Sequence, residues 1–70
     1  MNEMTMAEVI RKKLKEKNMK QQEFADRCEV SRSCAGYWLR GRTIPSGYNL
    51  IKIANALDCT VEELYGFERR

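Results

Sequence analysis

A chain of 70 residues is long enough for one domain with a small core and too short for a deep enzymatic cleft. Hydrophobic residues at 43% and charged residues at 33% exclude disorder, and no apolar run approaches the roughly 18 residues of a membrane span, so a soluble, helix-rich, cytoplasmic protein without a signal peptide is expected. The net charge is only +3 but it is polarised: residues 30 to 57 hold four bases and no acid, whereas residues 58 to 68 hold Asp58, Glu62, Glu63 and Glu68.

The pattern predicts five helices and no strand, because no alternating apolar and polar run is long enough for one. The first spans about Thr5 to Lys17, with Met6, Ile10 and Leu14 spaced by four on its buried side and Asn18 suited to its end. Its Arg11, Lys12, Lys13, Lys15 and Lys17 are interspersed with Glu8 and Glu16, which reads as a solvated face adding to the positive field. A membrane-surface helix would want bulky aromatic residues on the apolar side, and there are none. The second helix runs from about Gln21 to Cys28, with Met19 placed to pack against Phe24 and Ile10. A turn at Glu29 and Val30 leads to a third helix, about Ser31 to Arg40, which Ser31 caps and Gly41 ends. Phe24, Ala25, Cys28, Val30, Ala35 and Trp38 fall at the offsets that make two crossing helices share a core. After a loop from Arg42 to Gly47 containing Pro45 and Ser46, Leu50, Ile53, Ala54 and Leu57 trace a fourth helix. Thr60 and Glu63 form a capping box opening a short fifth, with Val61 and Leu64. The whole is one domain with its core at about 6–65 and a frayed tail from Gly66 to Arg70.

The third helix carries the chemistry. Arg32, Gly36 and Arg40 are related by steps of four, and so are Ser33 and Tyr37, which puts all five on one stripe away from Ala35, Trp38 and Leu39. No Asp or Glu lies between Glu29 and Asp58, so the stripe and the loop after it carry Arg32, Arg40, Arg42 and Lys52 unopposed and attract a polyanion. An enzyme is excluded, since the chain has no histidine, no cysteine paired with a general base, and its carboxylates are scattered over solvated faces. Cys28, Cys34 and Cys59 are an odd number without C-x-x-C spacing, so reduced, mostly buried thiols are expected rather than a disulfide framework or zinc site, and no metal or cofactor is implied. Cys34 lacks a neighbouring cysteine to resolve it as a redox switch, and Trp38 faces the core rather than a base.

Taken together, Gln21 opening the second helix, the Phe24-Ala25 pair, Val30-Ser31-Arg32-Ser33 entering the third, and the Gly41-Arg42-x-x-Pro45-Ser46 loop resemble the lambda-repressor-like, Cro-type (XRE-type) helix-turn-helix family. The resemblance continues through Leu50-x-x-Ile53-Ala54-x-Ala56-Leu57 and Thr60-Val61-Glu62-Glu63-Leu64, and so covers nearly everything from Ile10 to Leu64. It implies an all-α, compact five-helix DNA-binding domain with helix 3 in the major groove. It also implies phosphate contacts from the start of helix 2 and the loop after helix 3, and binding as a dimer. Four positions depart from the family pattern. Glu29 stands where glycine is usual at the turn, Lys20 where Ser or Thr caps helix 2, Leu39 where Glu is common, and Gly47 where an apolar residue is expected.

On this reading Arg32 donates its planar fork to a guanine, Ser33 and Tyr37 follow it onto base edges, and Gly36 lets the helix approach the bases closely. Gln21 contacts a phosphate at the start of helix 2, Gln22 is open between phosphate and base, and Arg40, Arg42 and Thr43 grip the flanking backbone. The expected function is sequence-specific binding of double-stranded DNA by a transcriptional regulator, read as a repressor, on a near-palindromic operator. Leu64, Tyr65 and Phe67 are expected to contribute to a weak homodimer. The chain is either a complete Cro-sized regulator or the DNA-binding piece of a larger one. The competing reading is a protein-interaction module of the same fold, which would have no need of an acid-free stripe.

Overall fold

In the computed structural model, which describes residues 5–65, a reciprocal capping box starts the first helix. The Thr5 hydroxyl accepts from the Glu8 N–H (3.2 Å) and the Glu8 carboxylate accepts from the Thr5 N–H (2.9 Å). The helices are α1 (Met6–Glu16), α2 (Gln21–Cys28), α3 (Arg32–Leu39), α4 (Gly47–Leu57) and α5 (Val61–Leu64). Among the described residues there is no strand, and no helix is long and apolar enough to cross a membrane.

Four of these helices stop in the same way. A residue in left-handed backbone follows the helix, and the next N–H reaches five residues back: Met19 to the Leu14 carbonyl, Val30 to Ala25, Arg42 to Tyr37 and Cys59 to Ala54, all at 2.9–3.0 Å. The left-handed residues are Asn18, Glu29, Gly41 and Asp58, so glycine serves at one of the four. At the other three the following residue, Met19, Val30 or Cys59, is partly buried against the core. That apolar contact offsets the strain a side chain brings to positive φ, which for a residue such as Glu29 is of order 1–2 kcal/mol.

The core is the one the apolar spacing predicts. Ile10, Phe24, Ala25, Cys28, Ala35, Ile53 and Leu64 are fully buried, with Leu14, Trp38, Leu39, Leu50, Ala54 and Leu57 around them. Phe24 and Trp38 meet edge to face, with ring centroids 6.4 Å apart, and fasten α2 to α3. α1 packs on α3 and α5, and α4 packs on α2 and α5, so α3 is held from behind by α1 and α2. Met6, expected on the buried side of α1, lies at the rim, and Ala7 and Val9 are buried instead.

Three further expectations change. Leu64 is wholly buried, because α5 folds back onto α1 and α4; it is a core residue and cannot contribute to a surface patch, while Phe67 lies outside the described residues. At the start of α5 the Thr60 hydroxyl accepts from the Glu63 N–H (3.1 Å), but Glu63 turns to Lys13 of α1, 3.1 Å away, instead of closing a capping box. Of the cysteines only Cys28 is fully buried, and burial pushes its thiol up to about 11; Cys34 and Cys59 are partly exposed, and all three are free thiols.

Candidate nucleic-acid interface

Ser31 begins the recognition segment as the spacing predicts: its hydroxyl accepts from the Cys34 N–H at 3.0 Å, fixing the first turn of α3. From there the helix divides cleanly. Ala35, Trp38 and Leu39 point into the core, and Arg32, Ser33 and Tyr37 are exposed, with Arg40 just past the last helical residue. An eight-residue helix is about 12 Å long, close to the width of a major groove.

Gly36 does not lie open on that stripe. It is buried beneath the side chains of Gln21 and Arg40, and the Gln21 Nε2 also donates to the Arg32 carbonyl at 3.2 Å. Gln21, Arg32, Ser33, Gly36 and Arg40 together line one shallow recess, so the structure brings five of the nine predicted contact residues to one place. The Arg40 guanidinium sits 5.7 Å from the centre of the Tyr37 ring, which couples those two side chains across the end of the helix.

The remaining candidates flank this centre. Gln22 is exposed, and its amide donates to the Asp26 carboxylate one turn on, at 2.9 Å. Lys20 precedes α2 with no side-chain cap, as the departure from the family pattern implies, so the first N–H groups of α2 face outward beside Gln21. Arg42 and Thr43 are exposed in the loop after α3, beyond Gly41.

The field is less unopposed than the sequence implies. Lys52 does not join the basic stripe; its ammonium lies 3.6 Å from the Glu29 carboxylate and over the Tyr48 ring, 4.7 Å from its centre. The acid on the far side of the turn reaches it, a contact invisible when charges are counted along the chain. Glu23 and Arg27 neutralise one another on α2 at 3.1 Å. Arg32, Arg40 and Arg42 therefore carry the positive charge of α3 and the loop after it.

One supporting residue escapes sequence reasoning. Arg11 of α1 donates to the Leu39 carbonyl at the C-terminal end of α3, where a cation satisfies an orphan carbonyl and the negative end of the helix dipole together. In the sequence Arg11 is one of five bases between Arg11 and Lys17, with nothing to distinguish it. The exposed apolar residues Ile44, Tyr48 and Ile51 are equally inconspicuous there, one in a loop and two within the fourth helix.

Comparison with known proteins gives a consistent answer. A family described as helix-turn-helix matches residues 10–64. Among solved structures, the DNA-binding domain of the P22 c2 repressor is 32% identical over 94% of this chain and 87% of its own, with a TM-score of 0.88. The P22 c2 repressor in complex with synthetic operator 9T is 31% identical over 87% of this chain and 92% of that one, with a TM-score of 0.83. SinR, a master regulator for biofilm formation solved in complex with DNA, is 28% identical over 86% of this chain and 97% of its own, with a TM-score of 0.80. Curated protein sequences offer no match.

Proposed function

This chain belongs to the helix-turn-helix family, and from that membership we propose how it works as a sequence-specific DNA-binding regulator of transcription rather than an enzyme. The observation that carries the reading is the outer face of α3, where Arg32, Ser33 and Tyr37 are exposed, two arginines follow, and no carboxylate stands on the stripe. α3 enters the major groove, led by its N-terminal end. Arg32 addresses guanine O6 and N7; Ser33 and Tyr37 address neighbouring base edges, and Gln22 reaches a base once its amide leaves Asp26. Gln21, Arg40, Arg42 and Thr43 hold phosphates on either side and set the depth and register of the helix.

Two protomers bind one near-palindromic operator, their third helices in successive major grooves about 34 Å apart. The solved neighbours named for repression support the same sense here, so that occupancy of the operator in the cytoplasm blocks transcription.

Selection of binding sites from a random duplex pool tests this directly. A near-palindrome with half-sites about one helical turn apart is expected. A folded protein that enriches no duplex would overturn DNA recognition in favour of a protein-interaction module, and a short asymmetric site bound by one protomer would overturn the dimer.

A further inference from the structure

A glycine in the middle of a recognition helix is a poor helix former, and alanine would ordinarily improve it. The surroundings of Gly36 explain its presence without reference to DNA. A Cβ built there would stand 3.0 Å from the Gln21 Nε2, a tight approach that obliges the amide to give way, and 3.4 and 3.5 Å from the two terminal nitrogens of Arg40. The same Gln21 nitrogen is the donor to the Arg32 carbonyl. We propose that Gly36 is the seat of the Gln21 side-chain amide, and that Gln21 is a positioning residue tying the start of α2 to the first turn of α3, where Arg32 projects.

The inference rests on the proposed DNA-reading role of α3 and extends it. Gln21 opens α2, whose outward N–H groups face a phosphate, and it is bonded to the residue that addresses a base. One side chain thereby couples the backbone grip to base reading. The coupling requires room for an amide over position 36, and a residue without a side chain leaves it, whereas an added methyl obliges the amide to move. This assignment differs from the sequence-based expectation that Gly36 admits the base edges. In the one case an added methyl meets Gln21; in the other it meets DNA.

A double-mutant cycle separates them. Gly36→Ala, Gln21→Ala and the double variant are titrated against the selected operator and a scrambled duplex. Each single change is expected to weaken operator binding roughly tenfold at most, the upper end of what one lost neutral hydrogen bond contributes. With a shared mechanism the double variant also loses roughly tenfold, whereas independent effects would multiply to roughly a hundredfold. A multiplicative loss, or a Gly36→Ala protein that binds like the wild type, would overturn the proposal.

A readout without DNA keeps the two levels apart. In the free protein the Gln21 side-chain amide resonance should move to the position of a solvated glutamine in Gly36→Ala. Because the crowded atom is the end of a flexible side chain, the fold should melt no lower than the wild type. An unmoved resonance would sink the seat even if DNA recognition stands. A moved one supports it even if no duplex is selected, in which case the DNA reading fails alone.

Discussion

Glu29 precedes α3 and Gly41 comes after it, and both hold left-handed backbone, with φ of 61° and 75°. The two turns close with the same long backbone bond, Val30 to Ala25 at 3.0 Å and Arg42 to Tyr37 at 2.9 Å, yet one uses the residue best suited to that conformation and the other a residue poorly suited to it. The next residue along the chain accounts for the difference. Val30 is partly buried against the core, so packing holds Glu29 in place. Arg42 is exposed and provides no such anchor, so its turn depends on the backbone freedom of glycine. Space does not decide it, since a Cβ at Gly41 would meet only the Ala7 Cβ at an ordinary 3.6 Å. The N-terminal end of α3 is thus fixed by packing, and the C-terminal end by backbone conformation and by Arg11 on the Leu39 carbonyl. This suits a division of labour in which the first end reads bases and the second grips phosphates.

The sharpest test of that division is at Arg32. Arg32→Ala should lower operator affinity by about 1–3 kcal/mol per protomer and relax preference mainly at one base position of each half-site, with little change on scrambled DNA. Its side chain is exposed, so the melting temperature should stay put. Equal weakening on both duplexes would reassign Arg32 to the backbone.

Gly41→Ala tests the other end. Forcing a side chain to positive φ should destabilise the fold by about 1–2 kcal/mol, which for a domain of this size lowers the melting temperature by several degrees. A neutral result would mean that the turn relaxes out of the left-handed region, and the contrast with Glu29 would lose its basis.

Glu29→Gly should act in the opposite direction and more weakly. Relief of strain stabilises the native state, the greater freedom of glycine in the unfolded chain opposes it, and the lost Lys52 ion pair, exposed on its Glu29 side, contributes less than about 1 kcal/mol. The net expectation is stabilisation by up to about 1 kcal/mol in a thermal melt, with operator binding intact. Destabilisation would show that the Glu29–Lys52 contact, and not Val30, holds the turn.

Much of this architecture is legible in the sequence because it depends on local signals. Ser31 and Gly41 bracket α3, the spacing of Phe24, Ala25, Cys28, Ala35 and Trp38 gives the α2–α3 core, and Glu29 stands out where glycine is usual. The Thr5-x-x-Glu8 capping box is a signal of the same local kind. What the sequence could not supply are contacts between helices distant in the chain. Lys52 is neutralised across the fold by Glu29, Arg11 reaches the far end of α3, and Leu64 is apolar whether it faces a partner or the core. Gly36 is the clearest case: periodicity assigns its face correctly, but only the packing of α2 on α3 shows that Gln21 already covers it.

The smallest expected effect belongs to Arg42, and it completes the contrast between the two ends. Past Gly41 the chain is exposed, and Arg42 meets the criteria for a phosphate contact: a permanent charge, solvent access and a position just past the outer face of α3. A phosphate contact releases condensed counterion, so Arg42→Ala should weaken binding to operator and scrambled DNA alike and reduce the slope of log K against log salt by about 0.9 per protomer. The deficit should therefore shrink as salt rises, whereas the Arg32→Ala deficit on the operator should persist in large part, because a bidentate base contact retains its geometry when the ion atmosphere is screened. Titrating both variants over a salt series on both duplexes measures the two behaviours in one experiment. If Arg42→Ala shifts base preference while Arg32→Ala changes only the slope, the two ends of α3 have exchanged roles, and the helix lies in the groove in the opposite sense.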